Sequence, residues 1–92
     1  MSEVEKVTTK HPRGKTGRTI ERKKYVQIKE AILLILKDHE LSHPELFEKI
    51  EKRLSGKFDG NISWYAETVK LDLEARHLIE RTVSKPQKYR LK

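Results

Sequence analysis

Three stretches of helical period, separated by short runs of strand period, organise the hydrophobic positions of this chain. From Ile20 or Glu21 to Lys37, Tyr25, Ile28, Ala31, Ile32, Ile35 and Leu36 recur at steps of three and four residues, which predicts a first helix. Leu33 and Leu34 widen its apolar stripe. Burying one such Leu or Ile contributes about 1.5 to 3 kcal/mol, so this helix is expected to be the centre of the core. Asp38-His39-Glu40 ends the period, and Leu41 follows as a short strand or anchor. Ser42 with Glu45 forms a capping box, and Pro44 falls in the first turn, where its missing N–H costs nothing. Leu46, Phe47, Ile50 and Leu54 then supply the apolar face of a second helix, which Gly56 and Gly60 interrupt. A third helix, capped by Asn61 or Ser63, turns Ile62, Tyr65, Ala66, Val69 and Leu73 to one side. Leu78-Ile79 and Thr82-Val83 read as extended. After a turn at Ser84 to Gln87, Lys88 to Lys92 alternates basic and apolar residues, with Tyr89 and Leu91 inward. The predicted fold class is α+β.

The run Leu73-Glu74-Ala75-Arg76-His77-Leu78-Ile79-Glu80-Arg81, together with the spacing of Ala66, Val69, Leu73, Leu78 and Ile79, resembles the third helix and first wing strand of winged helix-turn-helix proteins. Those proteins often carry Gly where this chain has His77, because the helix ends there in a left-handed conformation that His tolerates better than most residues. The resemblance covers residues 20 to 92 and implies three helices, a short strand and a C-terminal β-hairpin wing. A looser similarity, carried by His11-Pro12-Arg13-Gly14, Arg18-Thr19 and Lys24-Tyr25, links the opening of the chain to a small uncharacterised family of bacterial winged-helix-like proteins.

Ninety-two residues make one domain with a modest core, and the absence of Cys excludes disulfides, thiolate metal sites and a cysteine nucleophile. The first 20 residues hold five basic and two acidic groups and no apolar run, and no segment approaches the ~20 apolar residues of a membrane span, so a soluble, cytoplasmic protein is expected. Charge sorts along the chain. Residues 1 to 24 have eight basic groups against three acidic, residues 25 to 80 eight against eleven, and residues 81 to 92 five against none. Basic ends on a mildly acidic body point to a polyanionic partner, nucleic acid before membrane. Residues 1 to 19 lack a helical or strand period and are expected to form a flexible basic arm ahead of the domain.

His39-Glu40-Leu41-Ser42-His43 matches the zincin pattern H-E-x-x-H, which requires both imidazoles on one face of a continuous helix. The frame is wrong here. Pro44 would clash with the Glu40 carbonyl in a helix running through both histidines, so no metal site is assigned. With no phosphate-binding glycine loop, nucleophile elbow or isolated carboxylate pair, no catalytic residue or cofactor is expected, and the chain reads as non-enzymatic.

Two binding readings remain, the first a DNA-binding module with a regulatory role. Arg13, Lys15 and Arg18 of the arm and Lys85, Lys88 and Arg90 of the wing are the candidate backbone contacts, and Ser63, Thr68 and Lys70 the candidates on helix three. Yet residues 62 to 77 hold two basic and three acidic groups, and the outward side carries Trp64, Leu71 and Ala75 where base-reading polar groups are expected. The alternative is therefore a protein-interaction or homodimerisation surface built on Trp64, Leu71 and Ala75.

Overall fold

Three helices and two small antiparallel sheets make up an α+β fold in the computed structural model, which describes residues 5–92. Helix α1, Arg22–Leu36, buries Tyr25, Ile28, Ala31, Ile32 and Leu36. Its expected stripe is too wide by one residue. Leu34 is 51% exposed, because two residues from Ile32 is about 200° around the helix and faces away from the core. Helix α2, His43–Leu54, begins with both halves of the capping box: the Glu45 N–H donates to Ser42 Oγ at 3.4 Å, and the Ser42 N–H to Glu45 Oε1 at 3.0 Å. The Ser42 backbone N–H first, and then the Ser42 side chain, hold the Glu45 carboxyl below the usual carboxylate range. Helix α3, Ile62–Ala75, is capped by Asn61 Oδ1, which accepts from the Trp64 N–H at 3.0 Å, and it buries Ala66, Val69 and Leu73 against the other two helices.

Helix α3 ends in a left-handed turn. Residue 77 has φ 62°, with the His77 N–H on the Glu74 carbonyl at 3.1 Å and the Leu78 N–H on the Leu73 carbonyl at 2.9 Å, the paired bonds of a Schellman stop. The turn redirects the chain into a three-stranded sheet of order β3-β5-β4, where β3 is Leu41–Ser42, β4 Ile79–Arg81 and β5 Lys88–Leu91. Tyr89 lies opposite both Leu41 and Arg81, and buried Leu41, Ile79 and Tyr89 close the sheet onto the helical core.

The opening segment corrects one expectation. Where a flexible arm was expected over residues 1 to 19, β1, Lys6–Lys10, and β2, Thr16–Glu21, form an antiparallel hairpin; residues 1–4 lie outside the described part. Ile20, expected at the start of helix one, is a buried strand residue opposite Val7. The hairpin turns over Pro12 and Arg13, with the Gly14 N–H on the His11 carbonyl at 3.0 Å. Its pairing shifts register between Thr8 and Lys10, and buried Thr9 accepts the Arg18 N–H on Oγ1 at 2.8 Å. Only glycine fits across that irregularity, since a Cβ at Gly17 would lie 2.0 Å from the Thr9 carbonyl oxygen.

The left-handed turn at His77 sets a stability test. His77→Gly should stabilise the fold by about 1 kcal/mol, because a residue with a Cβ is strained there, and raise the thermal midpoint by roughly 4–8 °C. His77→Ala, which keeps the Cβ, should give no such gain in the same melting experiment.

Candidate nucleic-acid interface

The site begins with a side chain that the sequence does not advertise. Asp72 is fully buried on α3, and its carboxylate collects donors from three elements. Oδ1 accepts the backbone N–H of Lys10, in β1, at 2.7 Å; Oδ2 accepts the hydroxyl of Tyr25, in α1. One turn along α3, Arg76 Nε donates to both oxygens at 2.9 and 3.0 Å. A buried carboxylate is tolerable when its lone pairs are filled and a cation is paired with it. Burial first, then the hydrogen bond to Asp72 and its charge, push the Tyr25 hydroxyl up to about 12 from 10.0. The hairpin is thereby bolted across the outer side of α3.

A second buried cluster corrects the expectation for Lys70. Expected as a nucleic-acid contact on this helix, Lys70 is 1% exposed. Its ammonium lies 3.3 Å from Glu74, 3.5 Å from Glu67 and 3.2 Å from the Tyr89 hydroxyl. Glu74 in turn pairs with Arg81, so α3 is tied to β4 and β5 by charge as well as by packing. Arg90, another expected phosphate contact, donates to Glu80 at 2.7 Å and Glu40 at 3.0 Å, and its charge is largely compensated. Ser63 donates to Glu51 Oε1 at 2.9 Å.

What remains open is on the hairpin. Arg13, Lys15 and Arg18 are exposed, and none has a carboxylate within ion-pair distance among the described residues. Two clefts flank the seam between hairpin and helix, and both are lined by Lys10, His11 and Lys15. The smaller, about 260 Å³, adds Arg18 and, from α3, Thr68 and Leu71; the larger, about 500 Å³, adds Ala75 and His77. Thus Lys15, Arg18 and Thr68, dispersed in sequence, converge beside Leu71. At the C-terminal end Lys85 is exposed in the β4–β5 turn, whereas Lys88 is half-buried where β5 pairs with Ser42.

The outward stripe of α3 is divided rather than open. Leu71 and Ala75 are half-buried in clefts against the hairpin, while Trp64 stays 43% exposed, edge-on to Tyr65 with ring centroids 4.9 Å apart. The two histidines of the zincin-like run belong to different elements. His39 lies between α1 and β3, and His43 opens α2, stacked on Phe47 at 4.1 Å and 3.9 Å from Glu67. No group of three metal-binding side chains occurs among the described residues. Among the described residues no helix is long and apolar enough to cross a membrane.

The chain belongs to a family of unknown function (DUF6958), which it matches over residues 6–89, so the match takes in the hairpin together with the helices. Neither a curated protein nor a solved structure matches it.

The Asp72 cluster should show in alkaline unfolding. Tyr25 keeps its proton in the folded state after the unfolded chain has lost it, so the contribution is intact below pH 10 and lost as pH rises toward about 12, at up to about 1.4 kcal/mol per pH unit. Tyr25→Phe should abolish that component of the slope in denaturant titrations and cost about 1.5–3 kcal/mol at neutral pH. Asp72→Ala, which strands three donors, should cost about 3–5 kcal/mol.

Proposed function

We propose that the chain is a non-enzymatic winged helix-turn-helix module that binds nucleic acid, duplex DNA above all, chiefly through its backbone. Support for the fold reading comes from the chain order α1-β3-α2-α3-β4-β5, which the winged-helix resemblance implies, and from the return of β5 between β3 and β4. Support for the binding reading rests on one observation. Arg13, Lys15 and Arg18 stand exposed, with no carboxylate partner among the described residues, on a hairpin fixed over α3.

In this reading the hairpin does what an exposed third helix does elsewhere. Ser63 and Lys70 are engaged within the fold, and Thr68 lines a cleft against the hairpin, so α3 offers few groups to base edges. A two-stranded ribbon can enter a major groove as a helix can, and flexible cationic side chains on it meet phosphates with low sequence preference. Lys85 in the β4–β5 turn extends the contact to a second part of the backbone, as a wing does.

A salt titration with a fluorescent duplex tests this. Affinity should fall steeply with salt, and Arg13→Ala/Lys15→Ala/Arg18→Ala together should lower the log–log slope by about 2 to 3, with Lys85→Ala lowering it by about 1. Arg90→Ala should change the slope little. Absence of binding at low salt would reject the proposal.

A further inference from the structure

A second basic surface lies away from the hairpin, on the ends of α1 and α2. A groove of about 630 Å³ is lined by Ile35 of α1, by Lys49, Lys52, Arg53 and Leu54 of α2, and by Lys57 in the turn that follows. Four cations and no carboxylate line it, within a stretch from residue 25 to residue 80 that is acidic overall. Only Lys52 has an acidic partner among the described residues, Glu48 at 3.1 Å, and both of those side chains are largely exposed, so the pair neutralises little. The floor is apolar, from half-buried Ile35 and buried Leu54, and the residue before Ile35 on α1 is the exposed Leu34. The turn is held in place. Gln27 Nε2 donates to the Lys57 carbonyl at 3.3 Å, and the Lys57 N–H to the Leu54 carbonyl at 2.9 Å.

We infer that this groove docks an acidic, amphipathic segment of a protein partner, its carboxylates meeting Lys49, Arg53 and Lys57 and its apolar side chains covering Ile35. The chemistry selects the occupant. A phosphate backbone would satisfy the cations but has nothing apolar for the floor, and a purely apolar segment would leave four cations desolvated without partners. The volume suits several side chains rather than a single anion. None of the hairpin residues that carry the proposed nucleic-acid contacts lines this groove, so the two surfaces can be occupied independently.

The test uses the full chain and a labelled peptide of about four helical turns, mostly Glu, with Leu and Phe at steps of three and four. Fluorescence anisotropy compares it with polyglutamate of equal charge and with duplex DNA. Peptide binding should be about tenfold or more tighter than polyglutamate binding and should weaken at least about tenfold in Lys49→Glu/Arg53→Glu, whose exposed positions should leave the circular dichroism spectrum unchanged. The hairpin variant Arg13→Ala/Lys15→Ala/Arg18→Ala should bind the peptide as the wild type does, which separates this inference from the DNA reading. Three results would each overturn it: no peptide binding to the wild type, polyglutamate binding as tightly as the peptide, or Lys49→Glu/Arg53→Glu weakening duplex binding while sparing the peptide.

Discussion

The structure depends on the burial of one carboxylate. Asp72 has no access to water, and its ionised form is tolerable only while Lys10, Tyr25 and Arg76 all point their donors at it. Removing water from a carboxylate costs several kcal/mol, which hydrogen bonds and the Arg76 charge must offset. The requirement couples three elements that are far apart in sequence, because β1, α1 and the end of α3 must be in position together. A short two-stranded ribbon is marginal in water by itself, and this one gains an anchor in Asp72 and an apolar footing in Val7 and Ile20.

Carboxylates also decide which of the many cations remain available. Lys70 is drawn inside by Glu67, Glu74 and Tyr89; Arg76 serves Asp72; Arg81 serves Glu74; Arg90 is shared by Glu80 and Glu40. Of these four, Lys70, through Tyr89, and Arg81, through Glu74, tie α3 to the C-terminal sheet. Exposed cations with no carboxylate partner among the described residues include Arg13, Lys15 and Arg18 on the N-terminal hairpin and Lys49, Arg53 and Lys57 along the groove on α2. A net charge of +7 therefore reaches the surface as separate patches with different surroundings, one beside Thr68 and Leu71, the other over Ile35.

Most of the helical frame was legible because its signals are local. The Ser42–Glu45 box, the Asn61 cap, the left-handed turn at His77 and the inward alternation of Tyr89 are each set by residues within a few positions of one another. The hairpin was not. Its strands offer one apolar residue apiece, Val7 and Ile20, too few for a period, although the β-branched run Val7-Thr8-Thr9 and the turn at Pro12 were available as hints. Its decisive bond runs from Lys10 to Asp72, 62 residues away. Lys70 misled for a related reason, since a lysine beside Val69 reads as solvated unless the buried acceptors on Glu74 and Tyr89 are known. The groove on α2 escaped notice because Lys49, Lys52 and Arg53 resemble an ordinary solvated face until Ile35 and Lys57 are brought beside them.

Amide hydrogen exchange, followed residue by residue by nuclear magnetic resonance, tests the central role of Asp72 most directly. In the wild type the Lys10 and Arg18 amides should be protected alongside those of α1 and α3, and Asp72→Asn should expose the hairpin amides while the core of α1 stays protected. Hairpin amides that exchange in the wild type as fast as an unstructured chain would contradict the docked ribbon, and protection unchanged by Asp72→Asn would contradict the carboxylate as its anchor.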